Sequence, residues 1–360
     1  MPPLPRLARA SHSQAAPRAL CYVSQSTDPY ANLALEDRLL RLTDPQTHVL
    51  FLWRNRPTVV IGRNQNPWKE CDLGAMRARD VWLARRTSGG GAVYHDLGNT
   101  NYTVVMPRAD FGRDRCARMV ARALRDHADI PATVTARHDV AVGGRKVSGS
   151  AFRLTAARAF HHGTMLIDAD LARLGSSLRS RNAAAITANG VDSVRSPVAN
   201  LRDYSWTIDH AAFCAAVCRA FAADIGHPGL DPVSVPAALA VPPCAGANPA
   251  AVASAARLAS WDWLYGQTPD FVLRLDGHFS WATVSATIAA HRGHIASAAV
   301  ATAPEACRPP PHVAAAFAAI ARALPGARYA RAAAAARLDP LRTSPHATEL
   351  CDWILAALDD

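Results

Sequence analysis

Hydrophobic positions recur at helical spacing in some stretches and alternate in others, so strands and helices are predicted to be interleaved along the chain. Residues 30–42 place Leu35, Leu39 and Leu42 on one side of a predicted amphipathic helix. The runs 49–53 and 58–61 read as short strands, with residues 54–57 as the turn of a hairpin. Residues 101–106 set Tyr102, Val104 and Met106 against Thr103 and Val105, the pattern of a strand covered on both faces. A helix is predicted over 116–127, and the runs 133–142 and 146–154 flank Gly143-Gly144, a pair suited to a two-residue hairpin turn. Residues 208–225 put Phe213, Val217 and Phe221 on one helical face. The stretch 228–249, rich in Pro and small residues, reads as a boundary between two domains. Beyond it, 261–284 predicts strands and 313–324 and 349–358 predict helices, with an extra loop at 304–312.

One run stands apart from this pattern. Residues 85–96 read RRTSGGGAVYHD, three consecutive glycines between an arginine pair and the strand-like Ala92-Val93-Tyr94. Because an apolar segment also precedes it, the run predicts glycines inside a sheet, where a ligand approaches the backbone. A surface hairpin turn is the plain alternative.

A chain of 360 residues, half of them hydrophobic, has the length for two domains and a buried core. The net charge of +10 suits nucleic acid, a membrane surface or an acidic protein. Scattered arginines and rare lysines argue against nucleic acid, and no apolar run reaches membrane-spanning length. No Asp or Glu occurs in the first 27 residues, which carry Arg6, Arg9 and Arg18; this predicts an organellar transit peptide over 1–19, although Pro2, Pro3 and Pro5 would suit an ordinary leading segment as well. Eight cysteines include no CxxC pair and no histidine at zinc-finger spacing, so buried thiols and no metal site are expected. His161 and His162, as strand neighbours, point to opposite faces and cannot chelate together, and His95-Asp96 fails as a dyad for the same reason.

The strings RRTSGGGAVYHDLGNTNYTVV, from Arg85, and GGRKVSGSAFR, from Gly143, resemble the lipoate-protein ligase and lipoyltransferase family. YANLALEDRLL, FLWRNRPTVVIGRNQNPWKECDL, HHGTMLIDADL, VDSVRSPVANL and SWDWLYGQTPDF follow in the family's order, so that the resemblance covers residues 21–279. Within the family it leans toward the mitochondrial lipoyltransferases through Asn64 to Trp68 and the paired His161-His162, whereas Arg195 in SVRS is more like the bacterial ligases. The resemblance implies an α/β (α+β) fold: a biotin/lipoate-protein-ligase-like catalytic domain over 20–227, with mixed sheets flanked by helices, a linker over 228–249 and a small α+β accessory domain over 250–360.

It also implies that Lys146 is catalytic, contacting the carbonyl oxygen and α-phosphate of lipoyl-AMP, although a lysine beside a turn is ordinarily a solvated surface residue. Lipoyl-AMP would be held by Arg86, Ser88, Gly89, Gly90, Gly91, Tyr94, Arg137, Lys146, Thr164, Val194 and Ser196. Arg137 with Asp139 reads equally as a surface salt bridge. The activity implied first is transfer of lipoyl from lipoyl-AMP to a lysine on lipoyl domains of 2-oxo acid dehydrogenase E2 subunits and the glycine cleavage H protein. The alternative is a complete ligase that first makes the adenylate from lipoate, ATP and Mg. A monomer in the mitochondrial matrix, without a permanent cofactor and without nucleic-acid or membrane partners, is expected. A biotin ligase would need a GRGRxGR loop, which the sequence lacks. A binding module without activity would need Lys146 and the adenylate-facing segments less. No general base is evident, and no cysteine falls in the glycine or lysine motifs.

Overall fold

A computed structural model describes residues 19–227, 229–235, 249–302 and 309–358. The first half runs β1 (Ala19–Ser24), α1 (Pro29–Leu42), β2 (His48–Trp53), β3 (Thr58–Ile61), α2 (Pro67–Glu70), α3 (Leu73–Ala78), β4 (Trp82–Arg85), β5 (Val93–His95), β6 (Asn99–Pro107) and α4 (Arg115–Ala128). Then follow β7 (Thr133–Val134), β8 (Val140–Val142), β9 (Arg145–Ser148), β10 (Ser150–Leu154), β11 (Arg158–Leu166), α5 (Leu171–Ser177), β12 (Ile186–Ala188), α6 (His210–Asp224) and β13 (Val233–Val235). The last part holds α7 (Pro249–Ala259), α8 (Trp261–Leu264), β14 (Phe271–His278), β15 (Thr283–His291), β16 (His294–Thr302), α9 (Pro311–Ala323), α10 (Arg331–Leu338) and α11 (Pro345–Ala357).

The fold is of the expected class, mixed sheets flanked by helices with a further sheet toward the C-terminus. The central sheet has the order β10-β11-β6-β2-β1-β13, antiparallel through β2 and parallel beyond it. Strand alternation sorts its core into two layers. Leu50, Leu52, Tyr102, Val104 and Met106 pack under α4 and α6, while Val49, Val105 and Phe160 pack with Leu40 of α1 on the other face. This explains why all nine residues of β6 are buried, as its two-sided pattern predicts. A smaller sheet, β4-β3-β5, lies beside it, and β7-β8-β9 forms a third.

Three expectations are corrected here. Residues 49–53 and 58–61 are not a hairpin: β2 already has β1 and β6 at its edges, so β3 pairs in parallel with β4 and antiparallel with β5. The inward face of α1 carries Leu33, Glu36, Asp37 and Leu40, while Leu42 is exposed. Periodicity missed this because Glu36 and Asp37 are buried with polar partners. Trp261–Leu264 is a helical turn, capped by the Ser260 hydroxyl, and not a strand.

The Gly143-Gly144 hairpin is present, with φ of +55° and +76° at the two central residues, as a primed turn requires. Helices α4, α6, α9 and α11 lie within a few residues of their predicted spans. Toward the C-terminus, β14, β15 and β16 form an antiparallel sheet that β12 joins from inside the 20–227 span. One hydrophobic core runs through both parts, joining Val59, Ile61, Trp68 and Leu83 to Leu273, Ile288, Phe317 and Ile354. Arg85 ties them further: its buried guanidinium donates to the carbonyls of Leu264 and Gln65 and to Thr268 Oγ1. The transit peptide expected over 1–19 lies, but for its last residue, outside the described residues, as do most of the expected linker over 228–249 and the start of the 304–312 stretch. Among the described residues six free cysteines are all buried, and no helix is long and apolar enough to cross a membrane.

Candidate active site

The glycine run does not sit in a strand. It is the loop between β4 and β5, and the reason is the backbone of Gly90, at φ +88°, which a strand cannot hold. Two features shape this loop. Arg86 reaches back under it, donating to the carbonyls of Gly89 (2.6 Å) and Gly91 (2.7 Å), to Val60 O and to Ser88 Oγ. On the outer side the loop lies so close to β3 that a side chain at Gly62 would overlap the Gly90 carbonyl. Arg86 is thus a buried latch rather than a free rim cation, and burial lowers its pKa to about 10. Ser88 is also buried, and its hydroxyl meets His162 Nε2 at 2.9 Å.

His162 in turn holds Glu36 Oε1 through Nδ1 at 2.8 Å, and Thr103 donates to the same oxygen at 2.7 Å. The chain Arg86–Ser88–His162–Glu36 therefore fixes the glycine loop to α1 through fully buried polar contacts. His161 points the other way, onto the Tyr102 ring, so the two histidines do face opposite sides. Burial pushes His161 and His95 down to about 3, which keeps both neutral. His95 and Asp96 serve structure, as expected: Asn55 bonds His95 Nδ1, and Asp96 accepts from the backbone of Gly98 and Asp170.

In front of this wall lies a cleft of two lobes. The first, about 220 Å³, is floored by Leu33, Trp53, Val60, Val93 and Ala151, with Gly90 and Gly91 along one side and Arg137 at its margin. The second, about 400 Å³, sets Leu174 and Leu178 against Lys69, Arg179, Arg195 and Ser196. Lys146, Gly149, Thr164, Ser193 and Val194 line both, so Lys146 stands at the junction. Together the lobes have the size of an ordinary small-molecule site, about 300–1,000 Å³.

Lys146 is positioned from three directions. Its Nζ is 3.0 Å from Asp139 Oδ1, so Asp139 pairs with the lysine and not with the exposed Arg137. Its backbone bridges to the segment after the loop at 191–196, with its N–H donating to Pro197 O and its carbonyl accepting from Ala199 N. Thr164 of β11 meets Gly149, three residues on, through both backbone and hydroxyl. The loop at 191–196 is pinned from the other side by Ser193, whose Oγ accepts from Ala92 N (2.9 Å) and Gln65 Nε2 (3.0 Å). Glu70, bonded to Ser193, is pushed up in pKa by burial.

Of the eleven residues singled out in the sequence, Arg86, Gly90, Gly91, Tyr94, Arg137, Lys146, Thr164, Val194 and Ser196 line the cleft, while Ser88 and Gly89 do not. Tyr94 lies in the second lobe, its ring buried in the core, and not beside the glycine-lined first lobe. Ser193, Gln65 and Glu36 carry much of the geometry and had no predicted role, and Asp139, read in the sequence as a possible partner of Arg137, pairs with Lys146 instead. The Asn64–Trp68 run and the residues next to SVRS were the available signals. Among the described residues no three His, Cys, Asp or Glu side chains converge as a metal site.

Comparison with known proteins gives a consistent result. A family model, the lipoyl protein ligase A/B catalytic domain, matches residues 28–222. A lipoate-protein ligase A of Psychrobacter cryohalolentis is 41% identical over 266 residues, covering 72% of this chain and 76% of its own. The crystal structure of P. falciparum LipL1 in complex with lipoate superposes with a TM-score of 0.59 at 25% identity, over 94% of this chain and 99% of that one. A lipoate-protein ligase A bound with ATP gives a TM-score of 0.50 at 25% identity, over 61% of this chain and 90% of that one.

Proposed function

The chain belongs to the lipoyl protein ligase A/B family of enzymes, and on that premise we propose that it is a complete lipoate-protein ligase. It would make lipoyl-AMP from lipoate and ATP and pass the lipoyl group to a lysine of a lipoyl domain. The observation that carries this is Lys146 at the junction of a smaller lobe, floored by Leu33, Trp53, Val60, Val93 and Ala151 beside the glycine loop, and a larger lobe that carries Lys69, Arg179 and Arg195. The first lobe suits the dithiolane and its carbon chain. The second suits the nucleotide, with Leu174 and Leu178 for the base, Thr164, Ser193 and Ser196 for phosphate and ribose oxygens, and Lys69, Arg179 and Arg195 for the triphosphate.

In the first step a lipoate carboxylate oxygen attacks the α-phosphorus and diphosphate leaves. In the second, the neutral acceptor amine attacks the anhydride carbonyl, an amide forms, AMP leaves and the amine's proton is lost. From the junction of the lobes the Lys146 ammonium would meet both the carbonyl oxygen and the α-phosphate, so that charge developing in either step is stabilised by a preorganised donor. Asp139 keeps that ammonium aimed. Magnesium would enter with the triphosphate as part of the substrate.

The ligase reading stands ahead of the transferase because the bacterial relative carries that name and a related structure holds ATP. Purified protein given an apo lipoyl domain with lipoate and Mg-ATP, or with synthetic lipoyl-AMP, separates the two by acceptor mass. Modification under both conditions is expected. Modification by lipoyl-AMP alone would restore the transferase that depends on a separate activating enzyme.

A further inference from the structure

Beside the reaction cleft the surface carries a trough of about 430 Å³ surrounded by arginines. Arg38 and Arg41 come from α1, Arg63 from the loop after β3, Arg153 from β10 and Arg257 from α7. The single carboxylate in its lining is Asp37, which is already taken by Arg41 Nε at 2.7 Å and Arg153 Nη1 at 2.6 Å. Among the described residues Arg38, Arg63 and Arg257 have no carboxylate within ion-pair distance. Arg63 and Arg257 instead lie over the Trp263 ring, 4.6 and 4.5 Å from its centre, and the ring is pinned by its Nε1 donating to Arg85 O at 2.7 Å.

Arginines held together without counter-charges repel one another, and an anionic partner removes that cost. Burial, and after it the charges of Arg153 and Arg257, lower the pKa of Arg63. The five side chains come from four separate elements, and four of them gather in two pairs, Arg41 with Arg153 on Asp37 and Arg63 with Arg257 on the Trp263 ring, which suits several carboxylates on a surface better than one small anion. The trough also lies close to the cleft. Arg153 follows Ala151 by two residues on the same face of β10, about 7 Å along the strand, and Ala151 lines the first lobe. Thr87, at the root of the glycine loop, lines the trough itself.

We infer that this arginine trough is a docking surface for acidic side chains of the protein that presents the acceptor lysine, seating it so that the lysine reaches Lys146. The inference rests on the acyl-transfer reading above. It assigns the trough a part in acceptor recognition and none in adenylate formation. Charges at the margin of an interface act chiefly on encounter and on salt dependence.

The test uses the full chain with Arg41→Glu and Arg257→Glu together, both exposed positions outside the cleft, and a matching Arg→Lys pair that keeps the charge. With synthetic lipoyl-AMP as donor and an acidic apo lipoyl domain as acceptor, KM for the acceptor should rise about tenfold or more at low salt, and the lysine pair should stay near the parent. The parent's acceptor KM should climb with added NaCl while that of the glutamate pair stays flat. Lipoate-dependent ATP–diphosphate exchange should be unchanged. An unaltered acceptor KM overturns the inference, and so does a joint fall in exchange, which would give the trough to a small anion such as ATP. Failure of the function reading looks different, because the parent would then modify no acceptor at all; direct binding of the apo domain to parent and variant still decides the docking surface in that case.

Discussion

The first lobe is walled by strands and by α1, and its polar supports are buried behind it, whereas the second lobe is closed by the irregular segment 189–199, most of whose residues are exposed. Arg86, Ser88, His162 and Glu36 are each nearly inaccessible to water, while Val194 is 63% exposed. A wall fixed by buried, mutually satisfied hydrogen bonds moves as a unit, whereas a mostly exposed loop, held at its ends by backbone bonds and in its middle by Ser193 and the Lys69–Asp192 pair, can yield locally. The same cleft thus sets a rigid first lobe beside a second lobe with a more adaptable cover. Lys146 belongs to both, since its side chain pairs with Asp139 while its backbone carries the segment that closes the second lobe.

That contrast can be broken at its hinge first. Removing a preorganised donor costs ~3–4 kcal/mol of transition-state stabilisation, so Lys146→Ala should cut turnover about a hundredfold or more in both adenylate formation and transfer. Lipoate binding by calorimetry should change little. Near-normal transfer by this variant would remove Lys146 from the chemistry.

The rigid wall is sharpened next by Gly62→Ala. The added methyl meets the Gly90 carbonyl, a fixed backbone atom, and overpacking of this kind costs about 1–3 kcal/mol. Lipoate affinity should fall about tenfold while ATP affinity holds. Gly89→Ala is the matched control, because its side chain would meet nothing within 4 Å and the residue does not line the cleft. Equal effects at the two positions would mean that the loop is not locked against β3.

The adaptable cover should answer most mildly. Ser193→Ala removes one hydroxyl with its bonds to Ala92, Gln65 and Glu70, worth about 1 kcal/mol, and should raise the KM for ATP about fivefold with lipoate affinity unaltered. If lipoate affinity falls as far as that for ATP, the two lobes do not respond separately.

Much of the site was legible because it is encoded locally. Three glycines beside an arginine pair, a lysine two residues after a Gly-Gly turn, and the hydroxyl segments at Thr164 and Ser196 are short strings whose chemistry survives without knowledge of the fold. Ser193 and Gln65 escaped because their work is a contact across 128 residues. Glu36 escaped because an acid in an amphipathic helix normally faces water, and only the approach of β6 and β11 supplies Thr103 and His162 as partners.

Strand and helix content, the two-sided burial of β6, the Gly143-Gly144 turn and the residue types at the reaction centre follow from the sequence by itself, since each depends on periodicity or on a few adjacent residues. Tertiary structure alone decided that β3 leaves β2 for another sheet, that Arg86 turns inward to latch the glycine loop, that Lys146 joins two lobes and that arginines from four elements meet on one surface. Each of these is a pairing between distant segments, and such a pairing is selected by which edges and partners remain free once the core has closed.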